Sequence, residues 1–158
     1  DEQQRATVYD CLPANMPWLA PVGRLDKASE GLLLMSNDPV WAATITDPKT
    51  GPDKTYHVQI NSIPTQAQLG AMQTGVDSDV GRLYAKCAGI LRQGTKNAWL
   101  EITLDEGRNR QIRRLLQEFN IEVLRLIRVS IGPLHLGDLA KGQCRALSNQ
   151  ELALLNHV

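Results

Sequence analysis

The sequence has no net charge. Its 158 residues carry 17 lysines and arginines against 17 aspartates and glutamates, so the formal charge at neutral pH is zero. This balance excludes a histone-like polycation, because such proteins bind nucleic acid through a general excess of positive charge. It does not exclude a single basic surface on an otherwise acidic chain.

Long hydrophobic runs and cysteine pairs are also absent. The longest apolar runs span a few residues, as at 32–35, whereas a membrane-spanning helix needs about 20. No segment has the pattern of a signal peptide, so we expect a cytoplasmic protein without membrane contact. Cys11, Cys87 and Cys144 form no CxxC pair, which predicts reduced thiols rather than a disulfide framework or a zinc site.

The order of predicted elements favours an α+β fold. The hydrophobic content of 42% is enough for the core of one domain. Helices and strands are mixed without regular βαβ alternation, which predicts a largely antiparallel sheet. Capping residues at Asp38, Thr65 and Ser148 each predict a helix start. The predicted helices cover 3–12, 39–47, 65–75, 109–119 and the segment after 148; the predicted strands cover 18–25, 31–36, 54–60, 98–104, 123–131 and 145–147; and 76–97 is irregular, with one strand near Leu83.

Positive charge is concentrated between residues 108 and 128. This window holds six of the eleven arginines and only two acidic residues, which gives it a charge of +4. Within the predicted helix, Arg110, Arg113 and Arg114 lie opposite an apolar stripe. The stripe is either a solvated helix face or an anion-binding surface, because the planar guanidinium suits phosphate oxygens. Both interpretations stay open on charge alone.

Four segments in a fixed order resemble the RsuA-like family of pseudouridine synthases. The first is GRLDKASEGLLLMSND at 23–38, and the second is KTYHV at 54–58. The third is EGRNRQIRRL at 106–115, and the fourth is LRLIRVSIG at 124–132. Four ordered segments are far more specific than a single GRLD word, which alone indicates ordinary turn chemistry at Asp26.

The resemblance implies a fold and an activity. It implies an α+β catalytic domain with a bent, mixed but mostly antiparallel sheet, flanking helices and a central RNA-binding cleft. The implied reaction is isomerisation of a uridine in ribosomal RNA to pseudouridine, without a metal or an organic cofactor. The third and fourth segments are most similar to a branch that acts on the large-subunit (23S) RNA and lacks the N-terminal S4 module. We therefore expect one catalytic domain over 1–158, acting as a monomer.

The beginning of the chain leaves two alternatives. No S4-like segment occurs in 1–158, which agrees with that branch. The family's first strand, with its Asn-Lys-Pro motif, is absent too, and a truncation that removed both segments is the other alternative.

Three residues match the family's catalytic positions. Asp26 matches the catalytic aspartate, which acts at the ribose C1′ as nucleophile or base, and the sequence leaves that choice open. Arg113 matches the arginine that pairs with it and favours its ionised form. Tyr56 matches the tyrosine that stacks on the target base and assists proton transfer; its strand position predicts a half-buried ring.

Other residues are candidates for RNA contact. Arg24 matches the motif arginine, which contacts RNA or fills the gap left by the flipped base, and Leu126 matches an apolar residue near that base. Arg110 and Arg114 are expected to be more available to phosphates than Arg113. Arg108 and Lys54 are further candidates for phosphate contact.

Two alternative functions remain at this point. The first alternative is a non-catalytic RNA-binding or ribosome assembly protein. The second is a synthase that acts on tRNA or another RNA. The combination of Asp26, Tyr56 and Arg113 disfavours the first, because RNA binding alone needs no carboxylate facing phosphates. Target choice is expected to reside in RNA shape and in the segments 47–53 and 76–97.

Overall fold

A six-stranded mixed sheet forms the centre of the protein. The computed structural model describes residues 17–106 and 110–156, together with residues 9, 12, 13 and 15. The elements in chain order are β1 (Ala20–Val22), β2 (Glu30–Gly31), β3 (Leu34–Ser36), α1 (Pro39–Thr46), β4 (Lys54–Ile60), α2 (Gln66–Thr74), β5 (Val76–Ser78), β6 (Gly81–Leu83), β7 (Cys87–Gln93), β8 (Ala98–Leu104), α3 (Gln111–Gln117), β9 (Val123–Ile131), β10 (Leu134–His135) and α4 (Asn149–Leu155).

The strands of the central sheet are mostly antiparallel. Their order is β10-β9-β4-β8-β7, and β2 lies beside β9 as a parallel neighbour. Strands β4 and β8 pair in register over seven residues, whereas the pairing of β4 with β9 contains two irregularities. Two small hairpins, β1 with β3 and β5 with β6, lie outside this sheet. The predicted α+β class with a mixed, mostly antiparallel sheet is confirmed.

Side-chain alternation explains why β4 and β8 are strands. Val58 and Leu100 point to the core face and are fully buried. On the other face His57 contacts Glu101 at 3.2 Å, and the hydroxyl groups of Thr55 and Thr103 lie 3.0 Å apart. Cross-strand pairs of this kind fix the register of an antiparallel sheet.

Two apolar clusters make up the core. The larger one joins the sheet to α2 and α3, and the smaller one joins β1, β3, α1, β10 and α4. Strand β9 contributes to both, because Leu126 belongs to the first cluster and Ile131 to the second. Between these two positions Arg128 is buried. A charged residue therefore occupies the strand where the two clusters meet.

The predicted helix starts are confirmed. The Asp38 carboxylate accepts hydrogen bonds from the backbone N–H groups of Val40 and Trp41, and Pro39 occupies the first helical position. Both capping boxes, at Thr65 and at Ser148, form as the sequence predicts. Such local signals need no tertiary context to be read.

Several other predictions were wrong. Residues 76–97 contain three strands rather than one, because β7 is an edge strand whose burial does not alternate and whose pairing is irregular between Ile90 and Arg92. No strand forms at 145–147, a described segment in which Arg145 instead pairs with Glu151 of α4. The predicted helix at 3–12 falls mostly outside the described residues, and 31–36 divides into β2 and β3.

The described segments contain neither a membrane-spanning helix nor a cluster of metal ligands. In these segments no helix is long and apolar enough to cross a membrane, and no group of three or more histidine, cysteine or acidic side chains is arranged to hold a metal ion. Cys87 and Cys144 are exposed free cysteines, and Cys11 lies outside the described residues.

Candidate active site

Asp26 lies on a connection with little regular structure. This segment, residues 23–33, is called the Asp26 loop below; it joins β1 to β3 and contains only the two-residue strand β2. It begins at Gly23, whose φ of 79° is in the left-handed region that favours glycine. A turn follows, in which the Ser29 N–H donates to the Asp26 carbonyl oxygen at 2.8 Å.

Two arginines contact the same oxygen of the Asp26 carboxylate. Arg110 Nη1 donates to Oδ2 at 2.8 Å, and Arg113 Nε lies 3.3 Å from that atom. Arg113 Nη2 also donates to the Ala28 carbonyl oxygen at 3.0 Å, so this side chain holds the loop at two points. The predicted juxtaposition of Asp26 and Arg113 is thus present in the structure.

The structure corrects the position predicted for Arg110. We expected its side chain to be available to phosphates, but it bonds to Asp26. The reason is its backbone: Arg110 has φ 54° and ψ 35°, a left-handed conformation that directs the chain into α3, which begins at Gln111. A non-glycine residue in this region is strained by about 1–3 kcal/mol and points to a local constraint.

Tyr56 lies at an irregularity of the sheet. The β4–β9 register shifts between Thr55 and Tyr56, and Tyr56 then pairs with Arg128. Its side chain is half-buried against the larger core cluster, as the sequence predicted. Arg128 in turn donates to the carbonyl oxygen of Arg24, two residues before Asp26. Arg128 therefore pairs with Tyr56 in the sheet and contacts the loop that carries Asp26. A bulge is a common device for redirecting a side chain beside a site.

The family model for RNA pseudouridylate synthases matches residues 2–118. The chain belongs to this family. A ribosomal large subunit pseudouridine synthase E of Vibrio vulnificus is 36% identical, over 94% of this chain and 68% of the relative. Another protein of that name, from Xanthomonas campestris, is 40% identical, over 82% of this chain and 77% of the relative. The fold and the enzyme class implied by the resemblance are thereby confirmed.

Solved structures agree with this family membership. A crystal structure of pseudouridylate synthase matches with a TM-score of 0.83 and 28% identity, covering 94% of this chain and 65% of that chain. An archaeal box H/ACA sRNP Nop10-Cbf5 complex shares the fold at 15% identity, with a TM-score of 0.61 over 79% of this chain. The chain thus spans about two thirds of the solved pseudouridylate synthase.

The remaining candidates for RNA contact divide into two groups in this synthase. The side chains of Arg24 and Arg114 have no hydrogen bond or ion pair with any described residue, and Arg108 lies outside the described residues. Lys54 is half-buried, and its Nζ donates to the Ile45 carbonyl oxygen at 3.4 Å. Burial, reinforced by the nearby charge of Arg128, lowers the pKa of Lys54. This environment is less favourable for phosphate contact than that of Arg24 or Arg114.

Leu126 lies in the core beside the candidate site rather than on its surface. It is 6% exposed, pairs with Val58 and belongs to the same core cluster against which Tyr56 packs. Two surface concavities of about 460 and 220 Å³ are not lined by Asp26, Tyr56 or Leu126. The smaller one includes Leu32 and Leu33, at the end of the Asp26 loop.

Three residues that hold the site were missed by sequence reasoning. Arg125 binds both carboxylate oxygens of Glu30 in the Asp26 loop, at 2.6 and 3.0 Å. Gln111 is 2% exposed and donates to the Tyr84 carbonyl oxygen at 2.9 Å, which anchors the start of α3. Its position four residues before Leu115, on the buried face, was a usable signal. Arg128 is the third residue, and no sequence pattern reveals its contacts with the loop.

Proposed function

We propose that this domain isomerises a uridine of large-subunit (23S) ribosomal RNA to pseudouridine, with Asp26 as the catalytic carboxylate. The supporting observation is the Asp26 carboxylate at 2.8 Å from Arg110 and 3.3 Å from Arg113, in a chain of the RNA pseudouridylate synthase family. The ribosomal substrate rests on the names of the relatives, since those from Vibrio and Xanthomonas are large-subunit enzymes.

The reaction is an internal exchange of bonds at the uridine. The bond between ribose C1′ and base N1 breaks, the base turns, and a bond between C1′ and C5 forms. C5 loses a proton and N1 gains one, so that no oxidant, reductant or second substrate is consumed. An ionised carboxylate at C1′ serves either as the nucleophile or as the base in this sequence.

Tyr56 and Arg113 have supporting roles in this proposal. The half-buried Tyr56 ring provides a face on which a base stacks, and its phenol group is a proton carrier close to C5. Arg113 fixes the Asp26 carboxylate and the turn that carries it through contacts with Asp26 and Ala28. Leu126 supports the base from below, since it is buried in the same cluster as Tyr56.

We assign RNA contact to the arginine side chains that form no hydrogen bond or ion pair with the described residues. A uridine must leave its stack to reach Asp26, which costs a few kcal/mol, and phosphate contacts then hold the flanking strand. Arg24 and Arg114 suit this role, Arg108 stays a candidate, and Lys54 is the weakest. RNA would lie in a cleft beside the Asp26 loop, and we propose that the single domain acts as a cytoplasmic monomer.

The deciding experiment measures tritium release from RNA labelled at uridine C5. The substrates are 23S RNA, 16S RNA and tRNA, and the proteins are the wild type, Asp26→Asn and a matched control, Asp138→Asn, which lies in an exposed turn outside the segments 47–53 and 76–97. We expect release from 23S RNA by the wild type and by the control, and none by Asp26→Asn.

Other outcomes contradict specific parts of the proposal. Release that survives in Asp26→Asn removes the role of Asp26. If tritium is released only from tRNA or only from 16S RNA, that RNA is the substrate instead of 23S RNA. Binding of RNA without release from any of them favours a non-catalytic RNA-binding protein.

A further inference from the structure

Arg128 is an unusual residue for the interior of a protein. It is 5% exposed, and no other charged side chain among the described residues is buried. No described carboxylate forms an ion pair with it, and its Nη2 atom is buried without a hydrogen-bond partner. A buried charge without a partner of opposite sign is costly, so this arrangement is unfavourable for stability alone.

The remaining donors of Arg128 hold both ends of the Asp26 loop. Nε donates to the Leu32 carbonyl oxygen at 2.8 Å, and Nη1 donates to the Arg24 carbonyl oxygen at 3.3 Å. These carbonyl groups flank Asp26 in sequence. The backbone of Arg128 adds a third contact, because its carbonyl oxygen accepts a hydrogen bond from the Leu32 N–H at 2.8 Å.

The same residue also faces the other half of the site. Arg128 is the cross-strand partner of Tyr56, so the two side chains project from the same face of the sheet. Only a guanidinium offers several donors in a rigid plane that can reach two carbonyl groups at once, whereas an ammonium is a single point on a flexible chain. Arg128 therefore contacts the Asp26 loop from a position directly opposite Tyr56 in the sheet.

We propose that Arg128 is a positioning residue of the isomerisation, which holds the Asp26 loop so that Asp26 and Tyr56 address the same base. The inference rests on the proposed function. Because Arg128 is buried, it acts without touching RNA, and its loss affects the chemical step rather than substrate binding. A displacement of about 1 Å between reacting groups is enough to slow a reaction strongly.

The test compares Arg128→Lys and Arg128→Met with Val123→Ala. Arg128→Lys keeps the charge but loses the planar guanidinium, and Val123→Ala weakens the packing of the same strand against the first core cluster, at the end of β9 that pairs with Ile60 and not with the Asp26 loop. For each variant, kcat and KM are measured by tritium release. Hydrogen exchange is followed at the amides of Ser29 and Leu32, whose acceptors are the carbonyl oxygens of Asp26 and Arg128.

We expect both Arg128 variants to lose about tenfold or more in kcat with little change in KM. The substitution displaces Asp26 relative to Tyr56 but leaves the RNA-binding side chains in place. Exchange should accelerate at Ser29 and Leu32 but not in β4 and β8. If Arg128→Met does not fold, the test is made with Arg128→Lys alone.

Three results would overturn the positioning role. They are an unchanged kcat in folded Arg128→Lys, an equal loss of kcat in Val123→Ala, and a raised KM at constant kcat. If the wild type releases no tritium from any RNA, the proposed function fails, while the exchange measurement still decides whether Arg128 holds the loop.

Discussion

The central sheet and the Asp26 loop are held in place by different forces. In the sheet, β4 and β8 pair over seven residues and bury Val58, Leu100 and Ile102 completely. The loop has two residues of strand, and it is fixed by guanidinium groups that reach it from α3 and β9. Apolar burial is additive and robust, whereas polar contacts are directional. Stability and catalytic geometry should therefore be separable by mutation.

The comparison also explains the distribution of charge. A window of +4 in a chain without net charge suggested an RNA-binding surface. In the structure, Arg110 and Arg113 bond to Asp26, Arg125 to Glu30, and Arg128 to loop carbonyl groups. Arg114 alone of the described arginines in this window has no such partner. Four of the five described arginines in this window thus bond to the Asp26 loop, which leaves Arg114 as the described side chain available to RNA.

Leu100→Ala should have the largest effect on stability. Leu100 is fully buried in the centre of β8, so its loss leaves a cavity and should lower the free energy of unfolding by about 2–5 kcal/mol. Urea denaturation measures this change. At temperatures where the variant is folded, kcat should stay close to that of the wild type. A loss of kcat in the folded variant would contradict the separation of sheet and loop.

Gly31→Ala should have a smaller effect on stability and a larger one on activity. Gly31 has a φ of 112°, and a Cβ there would lie 2.3 Å from the Arg128 carbonyl oxygen, so β2 must move away from β9. The strained backbone alone costs about 1–3 kcal/mol. The rate of tritium release should fall by more than the unfolded fraction of the variant accounts for, as calculated from its free energy of unfolding.

Gly70→Ala is the matched control for that change. Gly70 lies in α2 with nothing within 4 Å of a Cβ, so alanine there should be neutral or stabilise the helix by up to about 1 kcal/mol. Equal activity of the two glycine variants would show that the contact between β2 and β9 does not position the loop.

Local signals made much of the sheet predictable, whereas the loop contacts depend on residues far apart in the chain. The alternation in β4 and the capping box at Thr65 are readable from neighbouring residues. The resemblance supplied the Asp26–Arg113 pair. Arg110 was misjudged because its left-handed backbone is set by tertiary structure, and Arg128 was missed because Leu32 lies 96 residues away.

Glu30→Gln should have the smallest effect, and it tests the outer attachment of the loop. The hydrogen bond from Arg125 lowers the pKa of Glu30 below its ordinary value of 4.5, although burial opposes this change. Because the pKa is lower in the folded protein, the ion pair stabilises the fold above pH 4.5, and this contribution is lost as the pH falls through the folded-state pKa.

The wild type should therefore be slightly more stable than Glu30→Gln in urea denaturation at pH 7, and the difference should shrink at pH 3.5. Glu118→Gln, at the exposed end of α3, is the control and should show no comparable pH-dependent difference. A difference at pH 7 that persists undiminished under acidic conditions would mean that Glu30 acts through packing rather than charge. In that case apolar packing would hold this part of the loop, as it holds the sheet.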